Sequence, residues 1–314
     1  MDCLPFRFVL VTGHGTSDYL PAMTKSGETS SVKNGRGGWR KACAGLGILL
    51  LGFCLIQSFL PLRTAVQIGA DEGFELAKAT LCAHGHKLYT EIWNDQPPLH
   101  TFLTTQIVKH ITRSVLGPRL LTSGFTLVLL ASVFLLIRRL AGLGTAFMAV
   151  AMLIASPGFL ELSASCMLEI PALATALAGL CLLASLRVDR GWLAEIVAGI
   201  LFGMALQIKL INLIWTPLAA FLICYRQMPS GSETFPTFVL TMKSGVVIKR
   251  ALVFGITMML AWLAVDLVVD QGAYLANFQQ SWRSHFAAVK TTEYGTPSEH
   301  VFEWVLFFRN WDTT

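Results

Sequence analysis

The sequence predicts an all-α polytopic membrane protein, with about seven transmembrane helices and amphipathic interfacial helices in its first extracytoplasmic loop. Three observations carry this. Of the 314 residues, 54% are hydrophobic and only 14% charged, where a soluble domain carries about 25% charged residues. Mean hydropathy is +0.59. The apolar residues also arrive in blocks close to the roughly 20 needed to cross a hydrocarbon core, without the alternation of a membrane β-barrel. These features exclude an ordinary cytosolic enzyme and an intrinsically disordered chain.

Residues 1–41 are polar and rich in Gly, Ser and Thr, and read as a flexible cytoplasmic tail. The short run from Leu4 to Val11 lacks the charged start of a cleavable signal peptide, so the block 42–60 reads as an uncleaved first anchor. Further spans are expected at 119–137, 141–160, 171–186, 192–207, 210–225 and 251–269. Residues 97–117 are long enough to cross but carry Lys109, His110 and Arg113. Charge counting decides between the two placements, because cytoplasmic loops hold the excess of Lys and Arg. With 97–117 lying on the surface, the inner segments hold 14 Lys/Arg in 72 residues and the outer ones 8 in 117. Making 97–117 a span would move Arg138, Arg139, Arg187, Arg190, Arg226, Lys243, Lys249 and Arg250 outside. Three regions follow: the tail 1–41, a transmembrane core 42–269 whose outer loop 61–118 carries an interfacial helix, and an extracytoplasmic segment 270–314. The expected location is a plasma membrane of the bacterial inner-membrane type, with the N-terminus inside.

This topology gathers ionisable groups on the outer face. Asp71, Glu72, Glu75, Glu91 and Asp95 fall in the first outer loop, Glu161 and Glu169 in the second, and Lys209 between two apolar blocks. Asp71-Glu72 opens an amphipathic pattern with Phe74, Ala77 and Leu81 on one face and Glu75 and Lys78 off it, as in a helix lying in the interface. Asp71 fits a helix N-cap as well as a reactive carboxylate. Glu169 just before Pro171 suits a helix start on structural grounds alone. Lys209 either snorkels to the interface or meets an anionic headgroup, since a lysine among apolar spans is costly. Gly199 and Gly203 form a small-xxx-small packing face. His84-Gly85-His86 lacks a zinc-ligand pattern. Of the 7 Cys, Cys82 and Cys166 fall outside the spans, and their pairing stays open. No phosphate-cradling Gly loop, dinucleotide fingerprint or nucleic-acid-binding pattern is present.

Four stretches, in order, resemble the membrane-embedded C-type glycosyltransferases. The similarity is to the family 39 branch of dolichyl-phosphate-mannose protein mannosyltransferases and the lipid A aminoarabinose transferase. They are Asp71-Glu72 with the amphipathic stretch to Leu81, Asn94-Asp95-Gln96-Pro97-Pro98-Leu99, Met167-Leu168-Glu169-Ile170-Pro171, and the glycine-rich Gly199 to Lys209. The aminoarabinose branch has a lysine where this chain has Gln96, and Glu169 stands where Asp is more usual. Family members tend to be longer, which reads this chain as a fragment, a truncated frame or a minimal form.

The resemblance implies an inverting transfer of a sugar from a polyprenyl-phosphate donor to a hydroxyl on a lipid, glycan or protein. In that reading Asp71 is the base, Glu169 orients the acceptor, and Lys209 meets the donor phosphate. Glu72 helps shape the loop, Pro97 and Pro98 set the start of the interfacial helix, and Glu72, Gln96, Pro97 and Pro98 join Lys209 as the substrate- and donor-binding residues. A phosphate leaving group needs a cation rather than a second acid. No metal or other cofactor is expected, and no nucleic-acid partner. The competing readings are a transporter or lipid flippase, for which Asp266, late in the seventh span, is the exception to the clustering of acids at one surface, and an inactive truncated family member.

Overall fold

The computed structural model describes residues 8–11, 31–60, 62–63, 71–112, 114–185, 192–228, 237–241 and 244–277. Arg113, Arg187, Arg190 and Lys243 of the charge count lie outside the described residues, as does the expected extracytoplasmic segment beyond residue 277. The described chain is dominated by helices: α1 (Ser31–Phe59), α2 (Asp71–Ala83), α3 (Leu99–His110), α4 (Leu116–Ala141), α5 (Leu143–Ala155), α6 (Pro157–Ser163), α7 (Glu169–Ser185), α8 (Leu193–Ile208), α9 (Thr216–Cys224) and α10 (Ser244–Asp270). A 3-10 turn, Leu210–Trp215, joins α8 to α9.

Three of these helices are long and apolar enough to cross a membrane, over Gly38–Phe59, Leu116–Ala141 and Gly245–Asp270. A fourth candidate is the pair α5 and α6, which together qualify but are bent by 75°. The bend has a local cause. Pro157 opens α6, and the residue before a proline is pushed out of the helical region; Ser156 is extended accordingly, at φ −78° and ψ 120°. The apolar blocks expected at 171–186, 192–207 and 210–225 form shorter elements. Helix α8, at 16 residues, reaches about 24 Å at 1.5 Å per residue, against a core of about 30 Å. The third block splits at Thr216 into the 3-10 turn and α9.

The long helices pack as a row in which α10 meets α8, α8 meets α7, α7 meets α4, and α4 meets α5. Gly199 and Gly203 set the closest contact in that row. A Cβ on Gly199 would stand 2.7 Å from the Phe254 carbonyl oxygen, and one on Gly203 would stand 2.5 Å from that of Met258. The small-xxx-small face therefore lets the backbones of α8 and α10 approach closely. Phe202 and Phe254 fill the space beside it edge to face, at 5.2 Å between ring centroids. A second apolar core joins Phe53 of α1, Leu130 and Phe134 of α4, and Val150 of α5.

Helices α2 and α3 pack on each other, and α3 also touches α4, α8 and α10. At 12 residues α3 is about 18 Å long, too short to cross a bilayer. Beyond the helices, three short strands form a sheet in the order β1 (Phe8–Val11), β3 (Thr237–Thr241), β2 (Tyr225–Met228). Strand β1 runs parallel to β3 and β2 antiparallel to it. The sheet joins the N-terminal segment to the 226–250 connection, the two longest segments that charge counting assigns to one side.

Candidate functional site

Helix α2 turns its charged face inward. Glu72, Glu75, Lys78 and Ala79 are buried, whereas Phe74 is 64% and Leu81 43% exposed. The apolar face expected from the sequence is thus present, but it points away from the protein. That suits an interface in which lipid takes the apolar side.

Each buried charge on α2 is paired. The Glu72 carboxylate takes a two-pronged contact from Arg119 in the first turn of α4, with Nε donating to Oε1 at 2.8 Å and Nη2 to Oε2 at 2.9 Å. The Cys166 backbone N–H donates to the same Oε1 at 2.8 Å. Arg119 Nη1 also donates to the Leu62 carbonyl, at 2.8 Å. One carboxylate therefore ties α2 to α4 and to the α6–α7 connection, three residues before Glu169. Paired, hydrogen-bonded charges are the form in which buried ions are tolerated. One helical turn on, Lys78 Nζ donates to Glu75 Oε1 at 2.5 Å and to Asn94 Oδ1 at 2.8 Å. His100 of α3 lies 3.8 Å from Glu75 Oε2 through Nδ1 and is almost fully buried. Burial acts to raise the Glu75 pKa, but the neighbouring His100 and Lys78 outweigh it and hold the carboxyl below its ordinary value.

Asp71, the proposed base, is the first residue of α2 and is exposed. It makes no side-chain hydrogen bond or ion pair among the described residues, and residues 64–70 before it lie outside them.

The second acid and the lysine do meet. Glu169 opens α7, with Pro171 tolerated in the first turn. Helix α8 ends at Ile208, and Lys209 leaves it in an extended conformation, φ −154° and ψ 119°. Asn212 fixes the break, its Nδ2 donating to the Lys209 carbonyl at 2.9 Å. Lys209 Nζ then donates to Glu169 Oε1, with the two side chains 28% and 38% exposed. Glu169 Oε2 is buried and has no hydrogen-bond partner among the described residues.

The double-proline stretch has a framework role. The Gln96 carbonyl accepts from the Tyr89 hydroxyl at 2.6 Å and from Asn94 Nδ2 at 2.8 Å. The Gln96 side chain donates to Asp95 at 3.0 Å. Pro97 and Pro98 are buried, and Pro98 immediately precedes α3. Burial pushes the Tyr89 hydroxyl pKa up, and its ring lies 5.4 Å from that of Tyr274 beyond α10.

The paired histidines of the sequence make local contacts. His84 Nδ1 is 2.8 Å from the Thr80 carbonyl and His86 Nδ1 3.1 Å from Glu91 Oε2. Cys82 and Cys166 are both free thiols, and burial pushes Cys166 up to about 12. Asp266 is completely buried within α10. A recess of about 250 Å³ is lined by Leu60, Pro157, Leu160, Glu161 and Ala164, and neither Asp71, Glu169 nor Lys209 lines it.

Arg119, Asn94 and His100 carry much of this geometry; only Asn94 falls in a stretch that the sequence singles out, ahead of the double proline, and no role is assigned to it there. Arg119 lies at the lip of an apolar block, with Pro118 beside it as the only local signal of a helix start. No protein-family model, curated protein or solved structure matches this chain.

Proposed function

We propose that the chain is an inverting glycosyltransferase. It would move a sugar from a polyprenyl-phosphate donor to a hydroxyl acceptor at the extracytoplasmic face of the membrane. The contact between Glu169 and Lys209 is the observation that carries the reading, because it joins an acid and a cation 40 positions apart at one helix start and one helix break. The Glu72–Arg119 clasp supports it by tying the Asp71-bearing helix to the connection that leads into Glu169. In this reading the core has seven spans, with α7, α8 and the segment containing α9 crossing as short helices.

The chemistry asks little of the protein. Asp71 accepts the proton of the acceptor hydroxyl as oxygen attacks the anomeric carbon, and the phosphate leaves with the bonding electron pair. The phosphate is a weak base and needs no proton from the enzyme. Lys209 offsets the charge that grows on it, where a preorganised cation is most effective. Positioned general-base catalysis contributes about 10²–10⁴-fold, so Asp71→Asn should lower transfer by at least about 100-fold. Insertion in the membrane should remain intact. Full activity in that variant would refute the assignment of Asp71 as base. Lys209→Met should raise the donor KM more than the acceptor KM.

A second reading, as a transporter or flippase, draws on Asp266, which is buried in a long apolar helix. Intramembrane acids commonly mark ion or substrate paths. Vesicle transport that stops in Asp266→Asn, with no sugar transfer in the parent protein, would favour it.

A further inference from the structure

We propose that the Glu169–Lys209 ion pair is exchanged on donor binding, the donor phosphate taking Lys209 and releasing Glu169 to orient the acceptor, so that donor must bind before acceptor. This rests on the transferase reading above and adds an order of events to it.

Two buried or part-buried ion pairs flank the connection into α7, and they differ in kind. The Glu72 and Arg119 side chains are 5% and 6% exposed, and the pair is braced by the Cys166 N–H and the Leu62 carbonyl. Opening it would leave buried charges unpaired, which is strongly unfavourable. The Lys209 and Glu169 side chains are 28% and 38% exposed. A pair this open holds weakly and can be reached from outside. Lys209 is also built to move at one end only. Its backbone is fixed at the helix break by Asn212, while the ammonium rides on a flexible four-carbon stem.

The bound partner of Lys209 is a carboxylate whose other oxygen, Oε2, is buried without a hydrogen-bond partner among the described residues. A carboxylate accepts through both oxygens, so Glu169 is incompletely satisfied while it holds the lysine. A phosphate offers the ammonium several acceptor oxygens, and its charge rises as the sugar leaves. Once Lys209 turns to the phosphate, Glu169 Oε1 is released to accept from a second polar group of the acceptor, apart from the hydroxyl whose proton passes to Asp71. An acceptor arriving first would find the carboxylate already engaged.

The test uses the full chain in lipid nanodiscs with undecaprenyl phosphate as probe, and inorganic phosphate in a parallel arm. Carbodiimide reacts with a carboxyl oxygen that it can reach, and in the pair the Lys209 ammonium covers Glu169 Oε1. Labelling of Glu169, read by peptide mass spectrometry, should therefore rise as the probe saturates. Glu169→Gln should bind the probe about fivefold more tightly, within the range that a partly exposed ion pair supplies. Lys209→Met should lose binding. If the probe binds through Lys209 but neither Glu169 labelling nor the Glu169→Gln affinity changes, the exchange is overturned and the phosphate site stands. If the probe fails to bind, or binds Lys209→Met equally well, the transferase reading fails with it. Exchange driven by inorganic phosphate as well supports the proposal with the phosphate alone as ligand. Exchange driven only by the lipid supports it with the isoprenoid tail required.

Discussion

Glu72 and Arg119 form a buried, two-pronged ion pair. Breaking a buried pair by removing one partner costs roughly 3–5 kcal/mol, so Arg119→Ala should lower the thermal midpoint in detergent sharply. Arg119→Lys should rescue only part of it, because lysine cannot reproduce the two-pronged contact. Glu75 has a pH signature. Its folded pKa is lowered from 4.5, so its contribution to stability is complete above that value and is lost as pH falls through the lower folded one. Acid unfolding of Glu75→Gln should be less steep as pH falls below 4.5. Cys166, raised to about 12 by burial, should resist N-ethylmaleimide at pH 8 in the folded protein and react after denaturation, because the thiolate is the nucleophile.

The contact between α8 and α10 is the element-level feature most open to test. Gly203→Ala would press a methyl against the Met258 carbonyl, at 2.5 Å before relaxation, and overpacking of this kind costs about 1–3 kcal/mol. A methyl added to Gly255, on the partner helix, would meet nothing within 4 Å, so Gly255→Ala should leave the unfolding midpoint unchanged or raise it slightly. Helix α2 shows the limit of pattern reading at this scale. Its period is plain in Phe74, Ala77 and Leu81, but periodicity cannot say which face meets protein. In water the apolar stripe would be buried. Here the charged stripe is buried because Arg119, Asn94, His100 and the Cys166 N–H wait for it on other elements.

At the scale of the whole molecule, the testable issue is sidedness. Reporter fusions after Gly117 and after Arg139 should report opposite sides of the membrane, since α4 runs between them. An epitope at the N-terminus and one inserted in the 226–250 connection should be protected together, because β1 pairs with β3. The same side for Gly117 and Arg139 would remove the charge-based topology and the outer-face site with it.

Composition and block hydropathy alone determined that this chain is helical and membrane-compatible, because the solvent of a segment is set by its average polarity over about 20 residues. The glycine pair and the positions of Asp71, Glu169 and Lys209 at helix ends were equally legible, since caps, prolines and small residues act locally. The tertiary structure decided the rest. The inward turn of the charged face of α2 and the meeting of Glu169 with Lys209 depend on partners distant in sequence. An ion pair forms where two backbones happen to converge, and no window along the chain records that convergence.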